Sequence, residues 1–228
     1  MRIGHRGAAA LAPDNSLAAI EAAAAAGADV VELDVLRRED GELVAAHAPE
    51  SAAGAPVLDA ALARAAALGL AVQADVKTPG VEADLASALR RHGLLERSFA
   101  SSSSRGVLRA LAAVEPRLAR SLSYPEDRRG LSERRLTQPL TAPSLAVLRL
   151  LLPLRLPRWL RSSGVEAVTL NAAVVSTAAI RVCHRRGVAV FAWTVNDRAR
   201  ATTLVESGID GIITDDPRIV PPGIPEKQ

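Results

Sequence analysis

A chain of 228 residues that is 49% apolar but only 2% aromatic can bury a sizeable aliphatic core within one domain. Its 28 Lys+Arg against 25 Asp+Glu, a net charge of +3, are interspersed and lack aromatic interleaving, so nucleic acid is not an expected partner. A lone cysteine, Cys183, excludes an internal disulfide and a multi-cysteine zinc site, and with no signal-like start and no apolar run of about 18 residues we expect a soluble cytoplasmic protein.

The first strand-like run, 2–5, leads into His5-Arg6-Gly7. Asn15 or Ser16 is placed to cap a helix over Ser16–Ala26. Val30–Val35 follows as a second strand and carries Glu32 and Asp34, which share a face because strand side chains alternate. Asp40-Gly41, in the link after it, is a hairpin signal. Residues 43–47 are therefore predicted as an extra strand, antiparallel to the second, that returns His47 to Glu32 and Asp34. The run 71–76 ends in Asp75-Val76-Lys77, and further strands are predicted at 98–103, 119–123, 166–170, 188–194 and 211–214. Segments with helical spacing, such as Ala178–Arg186, separate most of them, and Gly27, Gly69, Gly93, Gly187 and Gly208 follow helix-like runs, where a terminal glycine is expected.

Eight such units in 1–220 predict an α/β fold, a single (β/α)8 TIM barrel with one hairpin strand added after the second barrel strand. A doubly wound open sheet is the alternative. The segment 143–164 is apolar, studded with arginine and interrupted by proline. It reads as a barrel helix with its connecting loop, or as a membrane-surface contact for lipid headgroups. Residues 221–228 form a Pro-rich tail expected to be disordered.

The polar clusters lie at or near the ends of apolar strands, where charge is costly unless it is paired or binds a metal. Glu32 and Asp34 on one strand face, with Asp75 nearby, would repel one another without a cation; ordinary salt bridges are the other reading. Carboxylate oxygens suit hard divalent cations. His5 and His47 fall beside these acids, whereas His92 and His184 sit next to arginines in helix-like segments and are expected at the surface. Lys77 stands out because the only other lysine, Lys227, is in the tail.

Seven motifs carry a resemblance. They are His5-Arg6-Gly7; Ala12-Pro13-Asp14-Asn15-Ser16; Gly27 to Val35; His47-Ala48-Pro49; Asp75-Val76-Lys77; Trp193-Thr194-Val195-Asn196; and Gly208 to Pro217. In this order they resemble the glycerophosphodiester phosphodiesterase family. The resemblance implies a TIM barrel that hydrolyses a small-molecule phosphodiester to an alcohol and glycerol 3-phosphate. It implies one divalent cation, Mg²⁺ or Ca²⁺, held by Glu32, Asp34 and Asp75, with His5 and His47 as acid and base. It allows the substrate's own glycerol hydroxyl as the first nucleophile, giving a cyclic phosphate that water then opens. Arg6 and Lys77 would bind the phosphate, by a bidentate fork and a point charge respectively; for Lys77 a salt bridge to Asp75 or Glu32 is the alternative. Trp193, at the end of the seventh barrel strand, would wall the pocket for glycerol or the alcohol, with core packing as the alternative. Asn171, Ser101 and Ser103 are weaker candidates near other strand ends. Asn15 would cap a helix or orient a catalytic group, and Asp215 and Asp216 would cap a helix or act directly.

The chain departs from the family where Asp14 and Asp75 replace glutamates and Ala48 replaces an aspartate. The family's insertion after the second histidine is reduced to Ala48–Pro56, which leaves the site uncapped and bears on substrate choice. Two other functions are therefore weighed: a lysophospholipase D acting on lysophospholipids, and a non-catalytic phosphate-binding barrel. The oligomeric state is open.

Overall fold

The structure, a computed structural model, describes residues 1–125 and 138–222. Parallel strands β1 (Arg2–Gly4), β2 (Val30–Arg37), β4 (Ala71–Val76), β5 (Phe99–Ser102), β6 (Ala119–Tyr124), β7 (Ala167–Asn171), β8 (Ala189–Trp193) and β9 (Gly211–Thr214) pair in that order. β9 returns to pair with β1, so the sheet closes into an eight-stranded barrel. The remaining strand, β3 (Leu43–Ala45), lies antiparallel on β2 with Val35 opposite Ala45. The hairpin predicted from Asp40-Gly41 is present, with Gly41 at φ +93°. It is shorter than expected, because β3 stops two residues before His47.

Helices α1 (Leu17–Ala25), α2 (Leu58–Ala67), α3 (Glu82–Arg91), α4 (Arg105–Val114), α5 (Gln138–Ser163), α6 (Thr177–His184) and α7 (Arg198–Glu206) connect the strands. After β9 the described chain forms only a 3₁₀ turn, Pro217–Ile219, in place of an eighth helix. α5 is one element despite Pro153 and Pro157 in its interior. Each proline forfeits one helical hydrogen bond, and burial of Leu152, Leu156 and Leu160 on the inward face compensates. Of the tail expected to be disordered, 223–228 lie outside the described residues.

Two apolar clusters fill the space between barrel and helices, one around Val31, Leu33 and Leu62, the other around Val168, Val190 and Ile180. A third, with Ile3, Val30, Phe99, Phe191 and Ile213, plugs the barrel interior; the Phe99 and Phe191 rings stand 5.1 Å apart. Cys183 packs fully buried, as expected for a small apolar side chain. His92 and His184 bond Asp59 and Asp210, away from the barrel mouth.

The loop from β1 to α1 is the tightest part of the fold. Ser16, not Asn15, caps α1 by accepting from the Ala19 N–H at 3.0 Å. A Cβ on Gly4 would overlap the Gly7 carbonyl oxygen, and a Cβ on Gly7, which lies at φ +90°, would stand 2.5 Å from that of Ala19. Gly7→Ala should therefore combine left-handed strain with overpacking and destabilise the fold by about 2–4 kcal/mol. Urea unfolding checks this, and an unchanged midpoint would show that the loop can open freely.

Candidate active site

The site lies at the C-terminal ends of β1, β2, β4 and β9 and in the loop after β3. Barrel register sets its centre: Asp34 on β2 faces Asp75 on β4, and Asp75 faces Ser101 on β5. Glu32, Asp34 and Asp75 each offer an oxygen within 4.8 Å of the others. Glu32 and Asp34 are buried.

Asp34 has the most partners. Its side chain is 1% exposed. Lys77 Nζ lies 2.6 Å from Oδ1, while Arg6 Nε at 3.1 Å, His47 Nδ1 at 3.0 Å and Asn15 Nδ2 at 3.0 Å crowd Oδ2. Asn15 also accepts from the Asp34 backbone N–H at 3.1 Å. Burial opposes the carboxylate, but His47, Lys77 and Arg6 outweigh it and hold its pKa below the usual range. Glu32 fares differently. It accepts the Arg6 backbone N–H at 2.8 Å, and burial together with the Asp34 charge raises its pKa to about 7. Asp75 accepts Ser101 Oγ at 2.6 Å and is paired with Lys77. Gln73 donates to Ser101 at 3.0 Å, so a buried polar chain inside the barrel fixes Asp75.

Both histidines are oriented by a carboxylate. His5 Nδ1 lies 2.6 Å from Asp215 Oδ1. Asp215 is held in turn by Asn196, whose Oδ1 accepts the Asp215 N–H and whose Nδ2 donates to its carboxylate. Burial works against the His5 imidazolium, but Asp215 and Glu32 prevail and raise its pKa. His47 Nδ1 faces Asp34 at 3.0 Å and Arg6 Nη2 also at 3.0 Å. Arginine can only donate, so an Nδ1–H on Asp34 and an Nδ1 that accepts from Arg6 are alternatives set by the ring's tautomer.

Of the residues singled out for the site, His5, Arg6, Glu32, Asp34, His47, Asp75 and Lys77 come together here, and the two phosphate-binding candidates face acids. Arg6 reaches Asp14, Asp34 and His47, and Lys77 bridges Asp34 and Asp75. Trp193 is half-buried at the end of β8, with its indole N–H donating to the Thr169 carbonyl at 3.2 Å and its ring against the interior cluster. Asn171 accepts only a local backbone N–H, and Asp216 caps the final 3₁₀ turn. Asn15, Asp215, Asn196, Ser101 and Gln73 emerge as supports for the ionisable groups. Arg6 at φ +50° and Asn15 at φ +54° are the non-glycine residues with left-handed backbone among the described residues. Such strain gathers at functional sites.

The donor set fits a hard divalent cation: three carboxylates within reach of one oxygen-bound ion, one of them held near neutrality by its burial and the Asp34 charge.

Comparison with known proteins gives one answer. The sequence model described as the glycerophosphoryl diester phosphodiesterase family matches residues 5–95 and 132–219. A glycerophosphodiester phosphodiesterase of Caldanaerobacter subterraneus is 26% identical over 254 residues, covering 94% of this chain and 93% of that protein. In fold, the chain is similar to an Oleispira antarctica phosphodiesterase solved in complex with its product sn-glycerol-3-phosphate (TM-score 0.74, 20% identity, 95% of this chain and 93% of that one). It is also similar to a glycerophosphodiester phosphodiesterase of Agrobacterium tumefaciens (TM-score 0.70, 21% identity, 95% and 96%).

Because the Glu32 carboxyl is protonated below about pH 7, a cation bound there must expel its proton. Calorimetric titration with a divalent cation should give weaker binding at pH 6 than at pH 8, with proton release that Glu32→Gln removes. Equal affinity at both pH values, without proton release, would exclude Glu32 from the cation's ligands.

Proposed function

The chain belongs to the glycerophosphoryl diester phosphodiesterase family of phosphoric diester hydrolases, and we propose that it hydrolyses glycerophosphodiesters to an alcohol and glycerol 3-phosphate. The observation that carries this reading is the juxtaposition, at one barrel mouth, of three carboxylates and two histidines that are each fixed by an acid.

Glu32, Asp34 and Asp75 would hold one divalent cation, Mg²⁺ or Ca²⁺; oxygen donors serve either, and the choice turns on site size and rigidity. When bound, the ion supplies charge stabilisation to the phosphoryl oxygens. The rest falls to this chain's side chains. His47, in the tautomer with Nδ1–H on Asp34 and Nε2 free, accepts the proton of the attacking hydroxyl or water. His5, whose imidazolium is favoured by Asp215 and Glu32, gives its proton to the leaving alkoxide. The new P–O bond to the attacking oxygen replaces the P–O bond to the alcohol. Lys77 and Arg6 lie close enough to the acids to turn toward a phosphate once a cation neutralises the carboxylates. Trp193 walls the pocket from the β8 side.

Only Ala48–Val57 lies between His47 and α2; it holds a 3₁₀ turn, Pro49–Ser51, after which Ala52 packs with Leu36, Val44 and Ala46. Among the described residues His47 is left 45% exposed beside this short segment, which favours lysophospholipids as a second substrate class. Release of glycerol 3-phosphate from glycerophosphocholine, compared with cleavage of lysophosphatidylcholine, separates the two readings.

Turnover should require a divalent cation, stop with EDTA, and fall about 10²–10⁴-fold in His5→Ala and His47→Ala. Wild-type rates in either variant would remove that histidine from the chemistry. Asp215→Asn takes away the partner that raises the His5 pKa. The acid form of His5 is then lost at lower pH, so the alkaline limb of the pH–rate profile should move to lower pH. An unmoved limb would assign that limb to another group.

A further inference from the structure

Helix α5 has two faces that do different work. Leu152, Leu156 and Leu160 recur every four residues and are buried against the barrel. Val147, Leu150, Leu154, Arg158 and Arg161 recur at offsets of about 3 and 4 and form the opposite stripe. Val147, Leu150 and Leu154 are 56%, 76% and 77% exposed, a contiguous apolar ridge on a water-facing helix. The residues of α5 include four arginines and no acid, in a chain whose charges nearly balance.

Beside the ridge is a cleft of about 630 Å³ lined by Arg105, Leu154, Arg155, Arg158, Trp159 and Ser162. The Arg105 guanidinium lies over the Trp159 ring, 5.5 Å from its centre. Elsewhere some arginines are matched by acids, as in Arg37–Asp84, Arg90–Glu115 and Arg120–Glu166, and others, such as Arg97, Arg186 and Arg200, end on backbone carbonyls. Among the described residues, none of the three cleft arginines has a carboxylate within ion-pairing distance.

This surface borders the barrel mouth. Arg105 begins α4 three residues after β5 ends, and β5 carries the Ser101 that holds Asp75. Trp159 packs on Tyr124 at the end of β6, with ring centres 4.8 Å apart. Arg149 is close enough to Arg200 that its charge, after burial, disfavours the Arg200 guanidinium. Arg200 donates to the Ala172 carbonyl just past the end of β7.

We propose that α5 and the first turn of α4 dock the barrel on an anionic phospholipid bilayer, with lipid phosphates in the arginine cleft and the Val147, Leu150 and Leu154 ridge in the interface. Arginines with no acid partner among the described residues, a tryptophan and an exposed leucine ridge on one helix form the pattern of an interfacial helix. No described helix is long and apolar enough to cross a membrane, so the contact is peripheral. A second copy of this face would meet it with like charge, whereas an anionic bilayer complements it. Docked so, the mouth of the barrel lies near the membrane surface, where diesters derived from phospholipids are released.

Co-sedimentation of the full chain with vesicles tests this without reference to catalysis. Binding should be strong to vesicles containing phosphatidylglycerol, weak to pure phosphatidylcholine, and reduced by salt. Each cation near an anionic surface contributes about fivefold to partitioning, so Arg155→Gln with Arg158→Gln should lose roughly 25-fold. Arg105→Gln, outside α5, should lose about fivefold, which separates the effect from damage to the helix. Leu150→Ser with Leu154→Ser should also weaken binding while leaving the melting temperature unchanged. Equal binding to both vesicle types, or wild-type binding in the arginine variants, would overturn the proposal.

Discussion

Asp34 carries a charge that is 1% exposed, and the organisation of the barrel mouth follows from keeping it satisfied. Moving a carboxylate out of water costs several kcal/mol even after relaxation, and the cost is offset only by close, well-aligned partners. Here the partners come from separate parts of the chain: Asn15 from the loop after β1, together with the Arg6 charge at 3.1 Å, whose Nε makes no hydrogen bond, His47 from the segment after β3, and Lys77 from the loop after β4. One buried oxygen pair thus ties three loops together. The left-handed backbone of Arg6 and Asn15, each costing of order 1–3 kcal/mol, is held in place by the same contacts.

The neighbouring acids divide along the same lines. Asp34, set among Lys77, Arg6 and His47, is stabilised as a carboxylate, whereas Glu32, two residues away on the same strand face, is raised toward its neutral form by its burial and by the Asp34 charge. Lys77 is the internal counter-ion between Asp34 and Asp75. A divalent ion entering this cluster would compete with the Lys77 ammonium and with the Glu32 proton. The histidines show a related economy: each sets Nδ1 against an acid that has its own structural anchors.

The outer surface follows a different logic. Helices that pack on a barrel need one apolar face, and α5 has apolar residues on two. Its inward leucines account for its place in the fold; its outward ones, beside arginines that no described acid pairs, do not. Pro153 and Pro157 within the helix remove backbone donors without disturbing either stripe.

Much of the site was readable in one dimension because its residues are clustered at strand ends. Period-two alternation placed Glu32 and Asp34 on one face, Asp40-Gly41 announced the hairpin that returns His47, and alternating strand and helix runs announced the closed barrel. What could not be read were partners distant in sequence and chosen by register. Asp215 meets His5 across 210 residues because β9 pairs with β1, and Ser101 and Gln73 brace Asp75 because β4 and β5 are neighbours. The sequence by itself determined which strands carry charge and toward which face, since those follow from local periodicity. Only the tertiary structure decided which cation answers which acid, and hence that Glu32 rather than Asp34 sits near neutrality, because electrostatic pairing depends on distance in space and burial, neither of which is written along the chain.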